Sequence, residues 1–204
     1  MIIGICGKSG CGKSTLANQI IELTNNKAVH LDIDKVGHKV LLLPEVQKEL
    51  ISSFGGSVVR ENIVDRKRLG EIVFESRNEM NKLSDITWKY MQVEIDEFLN
   101  KNKDKIIILD WLLLPISKYF NMCDIKILLD VPYEVRKQRA TKRDSITEET
   151  FELREKASIS FDESAFDYVL KTSDSEIFKR LVKSLWQKFY TQEVLIQWLK
   201  DTWI

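Results

Sequence analysis

Residues 7–15 read Gly-Lys-Ser-Gly-Cys-Gly-Lys-Ser-Thr, with Gly7, Gly12, Lys13 and Ser14 at the fixed positions of G-x-x-x-x-G-K-[ST]. Each residue type in that spacing has a chemical task. Glycines at 7, 10 and 12 allow a tight turn that brings backbone N–H groups against phosphate oxygens; a side chain at Gly10 or Gly12 is expected to obstruct that approach. A helix starting near Lys13 would aim its unpaired N–H groups and its positive dipole end at the same anion. Lys13 adds a mobile positive charge for the β- and γ-phosphates, and the Ser14 hydroxyl is placed to ligate Mg²⁺. Ser9, Gly10, Cys11 and Thr15 complete the expected nucleotide-binding set.

Carboxylates come next. The apolar stretch Ala28-Val29-His30-Leu31 runs into Asp32-Ile33-Asp34. Two acids at the C-terminal end of a parallel strand can organise Mg²⁺ waters or accept a proton from a hydroxyl. In extended chain they would share one face. The alternative is that one of them caps the next helix, which is expected to begin near Lys35. A third acid, Asp110, closes the run Ile106-Ile107-Ile108-Leu109, the Walker B pattern that sets a carboxylate near the metal. Ser14, Asp32 and Asp110 are therefore the candidate metal ligands. Arg136, Arg139 and Arg143 share a face at helical spacing, where they would neutralise charge on a transferring phosphoryl group.

These groups need a scaffold. Ile2-Ile3-Gly4-Ile5-Cys6 precedes the loop as a buried strand, and Leu16, Ile20, Ile21 and Leu23 follow at helical spacing. Further strands are expected at Ala28–Leu31, Lys105–Asp110, Ile125–Asp130 and Tyr168–Leu170. Alternation with helical patterns demands crossover connections, hence an α/β fold with a roughly five-stranded parallel sheet flanked by helices. The stretch 44–102 is mostly helical: one helix ends at Phe54 before Gly55-Gly56, Leu69, Ile72, Val73 and Phe74 form a second apolar face, and a long amphipathic pattern runs from Met80 to Leu99. It is too long for a bare crossover and reads as an insertion over the acceptor side. The expectation is one domain, with a core at 1–43 and 103–204 and a lid at 136–150. Arg60, Arg66, Lys67 and Arg68 are candidates for an anionic acceptor. His38 is expected to pack or to lie on the surface. From Asp174 onward Ile177, Leu181, Leu185, Trp186 and Phe189 trace a further helical face.

Lys plus Arg equals Asp plus Glu at 31 each, so no global basic field recruits nucleic acid. The three cysteines, Cys6, Cys11 and Cys123, form no CxxC pair and read as reduced thiols in a cytoplasmic protein. No apolar run reaches membrane-spanning length and the N-terminus reads as a strand, so neither membrane insertion nor secretion is expected.

Several segments together resemble the dephospho-coenzyme A kinase family, within the nucleoside-monophosphate-kinase-like group of P-loop kinases. Beyond Ile2–Thr15 these are Leu31–His38, similar to its D-A-D-x-I-A-H; Phe54-Gly55; Ile63–Phe74, similar to D-R-x-x-L-G-x-I-V-F; Arg139 with Arg143-Asp144, similar to the R-x-x-x-R-D lid; and Ala165–Leu170, similar to A-D-x-V-I. The resemblance implies a P-loop kinase fold, ATP as donor, Mg²⁺, and the 3′-hydroxyl of dephospho-coenzyme A as acceptor. It implies Asp34 as the base with Asp32 nearby, and Arg139 and Arg143 acting from the lid. The chain departs from the family pattern at Trp88-Lys89, where H-P is usual. It departs again at Leu112–Pro115, which lacks the usual Glu, and around Ser158, where the expected Gln and Arg are absent.

Overall fold

The computed structural model describes residues 1–171 together with Arg180, Lys183, Ser184 and Gln187. The helical face expected from Asp174 onward lies outside the described residues. The strands are β1 (Ile2–Cys6), β2 (Ala28–Asp32), a short pair β3 (Val59–Arg60) and β4 (Ile63–Val64), then β5 (Ile106–Asp110), β6 (Ile125–Leu129) and β7 (Tyr168–Leu170). The helices are α1 (Lys13–Leu23), α2 (Ile33–Val40), α3 (Pro44–Phe54), α4 (Arg66–Val73), α5 (Arg77–Lys101), α6 (Tyr133–Asp144) and α7 (Glu148–Lys156).

Five strands form one parallel sheet in the order β2-β5-β1-β6-β7. The inner strands are apolar runs because helices cover both faces and leave neither to water. One face packs Ile3, Ile5, Ile108, Ile127 and Leu129 against Leu16, Ala17 and Ile20 of α1. The other packs Cys6, Ile107, Leu109 and Leu128 against Ile33, Val36 and Val40 of α2 and Met91, Ile95 and Leu99 of α5. A third cluster lies apart from the sheet, where Val46, Leu50, Val58, Val64, Leu69, Val73 and Ile86 join α3, the β3–β4 hairpin, α4 and the start of α5.

Two local expectations are corrected. The helix after β2 begins at Ile33, not near Lys35, because Asp32 accepts the Lys35 N–H at 3.2 Å and caps it. Asp34 therefore sits in a helical first turn, and Asp32 and Asp34 do not share the face of an extended strand. The stretch 44–102 is mostly helical, as expected, with one hairpin inside it. Glu61 and Asn62 adopt φ of 50° and 59°, the left-handed pair that closes a two-residue hairpin between β3 and β4.

Candidate active site

The C-terminal ends of β1, β2 and β5 converge on one cleft. Asp32 and Asp110 are register partners on adjacent strands. After β1 the chain turns through Gly7, Gly10 and Gly12, all at positive φ, and enters α1 at Lys13. The Lys13 ammonium donates to the Gly7 carbonyl at 3.0 Å and lies 4.0 Å from Asp110. The Ser14 hydroxyl donates to Asp110 at 2.9 Å.

The reason for glycine differs between two loop positions. A Cβ on Gly12 would meet nothing within 4 Å, so only its φ of 100° and the room in front of it call for glycine. A Cβ on Gly10 would lie 2.3 Å from the Arg136 carbonyl oxygen. The constraint at Gly10 is thus the backbone of α6 pressed against the loop, rather than the approach of phosphate.

Charge in the cleft is closely balanced. Burial works against the Lys13 ammonium, but Cys11, Asp110 and Asp34 around it outweigh that and hold its pKa above the ordinary lysine value. Asp34 keeps an accessible edge yet is crowded by the cleft walls. That desolvation raises its carboxyl above the usual range; Lys13 opposes the rise, Asp32 and Asp110 add to it, and a side-chain hydrogen bond from Trp111 opposes it. Burial likewise pushes the thiols of Cys6, Cys11 and Cys123 up, and all three are unbonded to one another.

The arginines of α6 separate. Arg143 is anchored by Asp144 through two contacts of 2.7 and 3.0 Å, and its charge is felt at Asp32, Asp34 and Lys13. Arg139 is exposed on α6. Arg136, expected on the same face, is instead 6% exposed: it donates to the Val131 carbonyl at 2.9 Å and to Glu155 at 2.8 and 3.0 Å. Helical spacing groups the three but is blind to α7, which covers one of them. His38 of α2 meets Arg66 of α4 at 2.9 Å. Lys67 and Arg68 are exposed with Arg68 paired to Glu71, and Arg60 is exposed on β3.

Two residues near this chemistry, Trp111 and His30, were given no role from the sequence, and a third, Trp88, entered only as a departure from the family pattern. Trp111 follows Asp110 directly, so its place beside the carboxylates was available from the strand end. Trp88, at the H-P departure, stacks on it with ring centroids 5.3 Å apart and planes 15° apart. His30 lies one pleat before Asp32, with Nε2 3.4 Å from the Asp110 carboxylate. Pro115 opens a tight turn at Leu114–Ile116 whose Leu114 is fully buried, and Ser158 lies just beyond α7.

Among the described residues no three His, Cys, Asp or Glu side chains are grouped to hold a metal ion. An oxygen set of Ser14 and Asp110, with Asp32 on the neighbouring strand, suits Mg²⁺. That ion keeps several waters and takes one or two carboxylates plus substrate phosphates.

A parallel sheet carrying this loop after its first strand, with an acid at the end of the neighbouring β5 and another at the end of β2 beyond it, and with arginines on α6, defines a P-loop phosphotransferase. The family model for dephospho-CoA kinase matches residues 1–177. The chain is 36% identical over 188 residues to the dephospho-CoA kinase of Aquifex aeolicus, covering 89% of this chain and 94% of that one. It is 33% identical over 186 residues to that of Fusobacterium nucleatum, with 89% and 95% covered. Among solved structures the dephospho-CoA kinase from Campylobacter jejuni shares the fold with a TM-score of 0.64 at 22% identity, covering 94% of this chain and 98% of that one. A Thermus thermophilus protein does so at 0.75 and 24% identity, with 92% and 97% covered. The chain belongs to the dephospho-CoA kinase family, and is a kinase acting on an alcohol group.

Proposed function

We propose that this protein transfers the γ-phosphoryl group of ATP to the 3′-hydroxyl of dephospho-coenzyme A. The observation that carries the reading is Asp34: a carboxylate in the cleft in front of the loop, electrostatically coupled to Lys13 and held above the usual pKa range by crowding. A hydroxyl acceptor gives up its proton as the new P–O bond forms, and a positioned carboxylate takes it. Asp34 is that base. The backbone N–H groups of residues 7–15 hold the triphosphate, and Lys13 balances charge as it moves toward the leaving oxygen. Ser14 and Asp110 would hold Mg²⁺, with Asp32 within reach of its waters; when bound, the ion neutralises the phosphate oxygens. Arg143, with Arg139 beside it on α6, closes over the transferring group. Arg66 and His38 supply polar groups at the acceptor side.

The test is ATP consumption with dephospho-coenzyme A set against a panel of nucleosides, nucleotides and small alcohols. Turnover with dephospho-coenzyme A at least tenfold above every other acceptor, with a product phosphorylated on the ribose, is expected. Preference for another acceptor would overturn the substrate while leaving phosphoryl transfer in place.

A further inference from the structure

Lys8 and Glu155 stand 147 residues apart in sequence, yet the Lys8 ammonium donates to Glu155 Oε1 at 2.7 Å. Lys8 is the second residue of the phosphate-binding loop and Glu155 lies near the end of α7. The same carboxylate takes two hydrogen bonds from Arg136, at 2.8 and 3.0 Å. The Arg136 guanidinium is otherwise spent on the Val131 carbonyl at 2.9 Å and, at a longer 3.5 Å, on the Ser9 carbonyl of the loop. Directly above, the crown of the loop at Gly10 is packed against the Arg136 backbone. Phe151 of α7 is fully buried and packs on Tyr133 of α6, with ring centroids 5.6 Å apart. One carboxylate thus joins three elements: the loop, α6 and α7.

We propose that Glu155 is a positioning residue for the nucleotide site: through Lys8 and Arg136 it fixes the backbone of the phosphate-binding loop to the lid helices, so that α7 sets the geometry in which the loop receives the triphosphate. Neither cation is then a direct phosphate ligand in the resting site. Arg136 has directed four of its five N–H groups to Val131, Ser9 and Glu155, and Lys8 is turned onto α7. The neighbouring residue extends the coupling. Arg154 donates to Asp144 at 2.9 Å, and Asp144 anchors Arg143. Adjacent residues of α7 therefore hold the loop on one side and the lid arginine on the other. Burial pulls the Glu155 carboxyl up, and the bonds from Arg136 and Lys8 outweigh that and leave it below its ordinary value, as an acceptor between two cations requires.

This inference rests on ATP being the donor, so binding of ATP to the parent protein is measured first. No binding there would end the donor assignment, not the coupling. With the parent binding ATP, a double-mutant cycle on Lys8→Met and Glu155→Gln reads ATP Kd by calorimetry alongside KM, kcat and melting temperature. Lys8→Met leaves the Arg136–Glu155 pair intact, so its melting temperature is expected to stay near the parent's. Each single variant is expected to weaken ATP about three- to tenfold with kcat within about twofold, and the double variant to bind no worse than the weaker single one, as for partners in one interaction. Effects that multiply would place Lys8 directly on the nucleotide and overturn the proposal, as would parent-like ATP affinity in Lys8→Met. A purely structural contact would lower the melting temperature and leave ATP affinity alone, which also overturns it. Breaking a buried pair can unfold a protein. Should Glu155→Gln not fold, Glu155→Asp takes its place in the cycle, keeping the carboxylate charge but drawing it back by one methylene from Lys8 and Arg136.

Discussion

Asp34 carries its charge into a place that discourages charge, and two expectations follow at that residue. The crowded carboxyl, raised further by Asp32 and Asp110, is the proposed base, and a base must be ionised to work. The acidic limb of kcat/KM should therefore lie above the ordinary aspartate pKa and shift with Asp34 substitution. Asp34→Asn should cost about 100-fold or more in kcat with ATP KM nearly unchanged, the scale of a positioned base. A pH–rate profile and initial rates check both, and turnover within a few-fold of the parent removes the role. The same shift acts on stability with a defined sign. A carboxyl whose folded pKa is raised binds its proton more tightly in the folded state, so stability is greatest below the unfolded pKa and falls as pH rises through the folded one. Asp34→Asn should thus melt higher than the parent near neutral pH, with the gain fading toward pH values below the ordinary aspartate range. Lys13→Ala should nearly abolish turnover, because its ammonium is the cation beside the Gly7 carbonyl and Asp110. Among these residues the loop and the three acids were legible from type and spacing. Glu155 was not, because hydrogen bonds from a distant helix leave no periodic mark.

The proposed lid, at the scale of elements, is two helices, α6 and α7, not one cationic face. The pattern Arg136, Arg139, Arg143 gave the correct helix but assigned its first arginine to the cleft, where the structure turns it onto Glu155. Periodicity reports which residues share a side and says nothing of what is packed there. The hairpin β3–β4 was hidden for a related reason: strands of two residues are too short to display alternation, and only the Glu61-Asn62 turn distinguishes them from the helical text around them. The capping of α2 by Asp32 was one of two readings open in the sequence; the hydrogen bond from Lys35 shows the cap, and the proposed role of the carboxylate near the metal stands beside it. Three substitutions test this arrangement. Arg143→Ala should lower kcat more than it raises ATP KM, since charge useful mainly in the transition state appears in kcat. Asp144→Asn, which removes the anchor of Arg143, should give a smaller loss of the same kind; a rise in ATP KM alone in either variant would assign Arg143 to ground-state binding. Gly10→Ala should lower the melting temperature and weaken ATP together, because its Cβ meets backbone rather than a side chain that can swing away.

The division of the molecule into a sheet core and a satellite cluster was visible in outline from the alternation of apolar strands with helical text, since buried parallel strands carry unbroken apolar runs. What the sequence did not reveal is how the satellite is attached. Leu43 and Tyr90 are shared between its cluster and the core cluster around α2 and α5. The helix α5 runs for 25 residues through both, its first turns against α4 and its last against the sheet. Leu50 is fully buried in the satellite with Val46, Val58 and Leu69, and none of these belongs to the sheet clusters. Leu50→Ala removes buried methyl groups and leaves a cavity, a change that costs about 2–5 kcal/mol. That loss should fall first on α3, the hairpin and α4, because the nucleotide site is built on β1, β2 and β5 and on α1, outside the cluster. Hydrogen exchange should therefore accelerate across residues 44–76 while amides of β1 and β5 keep their protection, as for a cooperative unit that opens below the global free energy. In the same variant ATP affinity should stay near the parent's and the KM for dephospho-coenzyme A should rise, since Arg66 and His38 meet at the edge of the satellite. Uniform acceleration of exchange over sheet and satellite alike would mean that the two unfold as one unit. Loss of ATP binding at a temperature where the variant remains folded would mean that the insertion supports the loop as well as the acceptor.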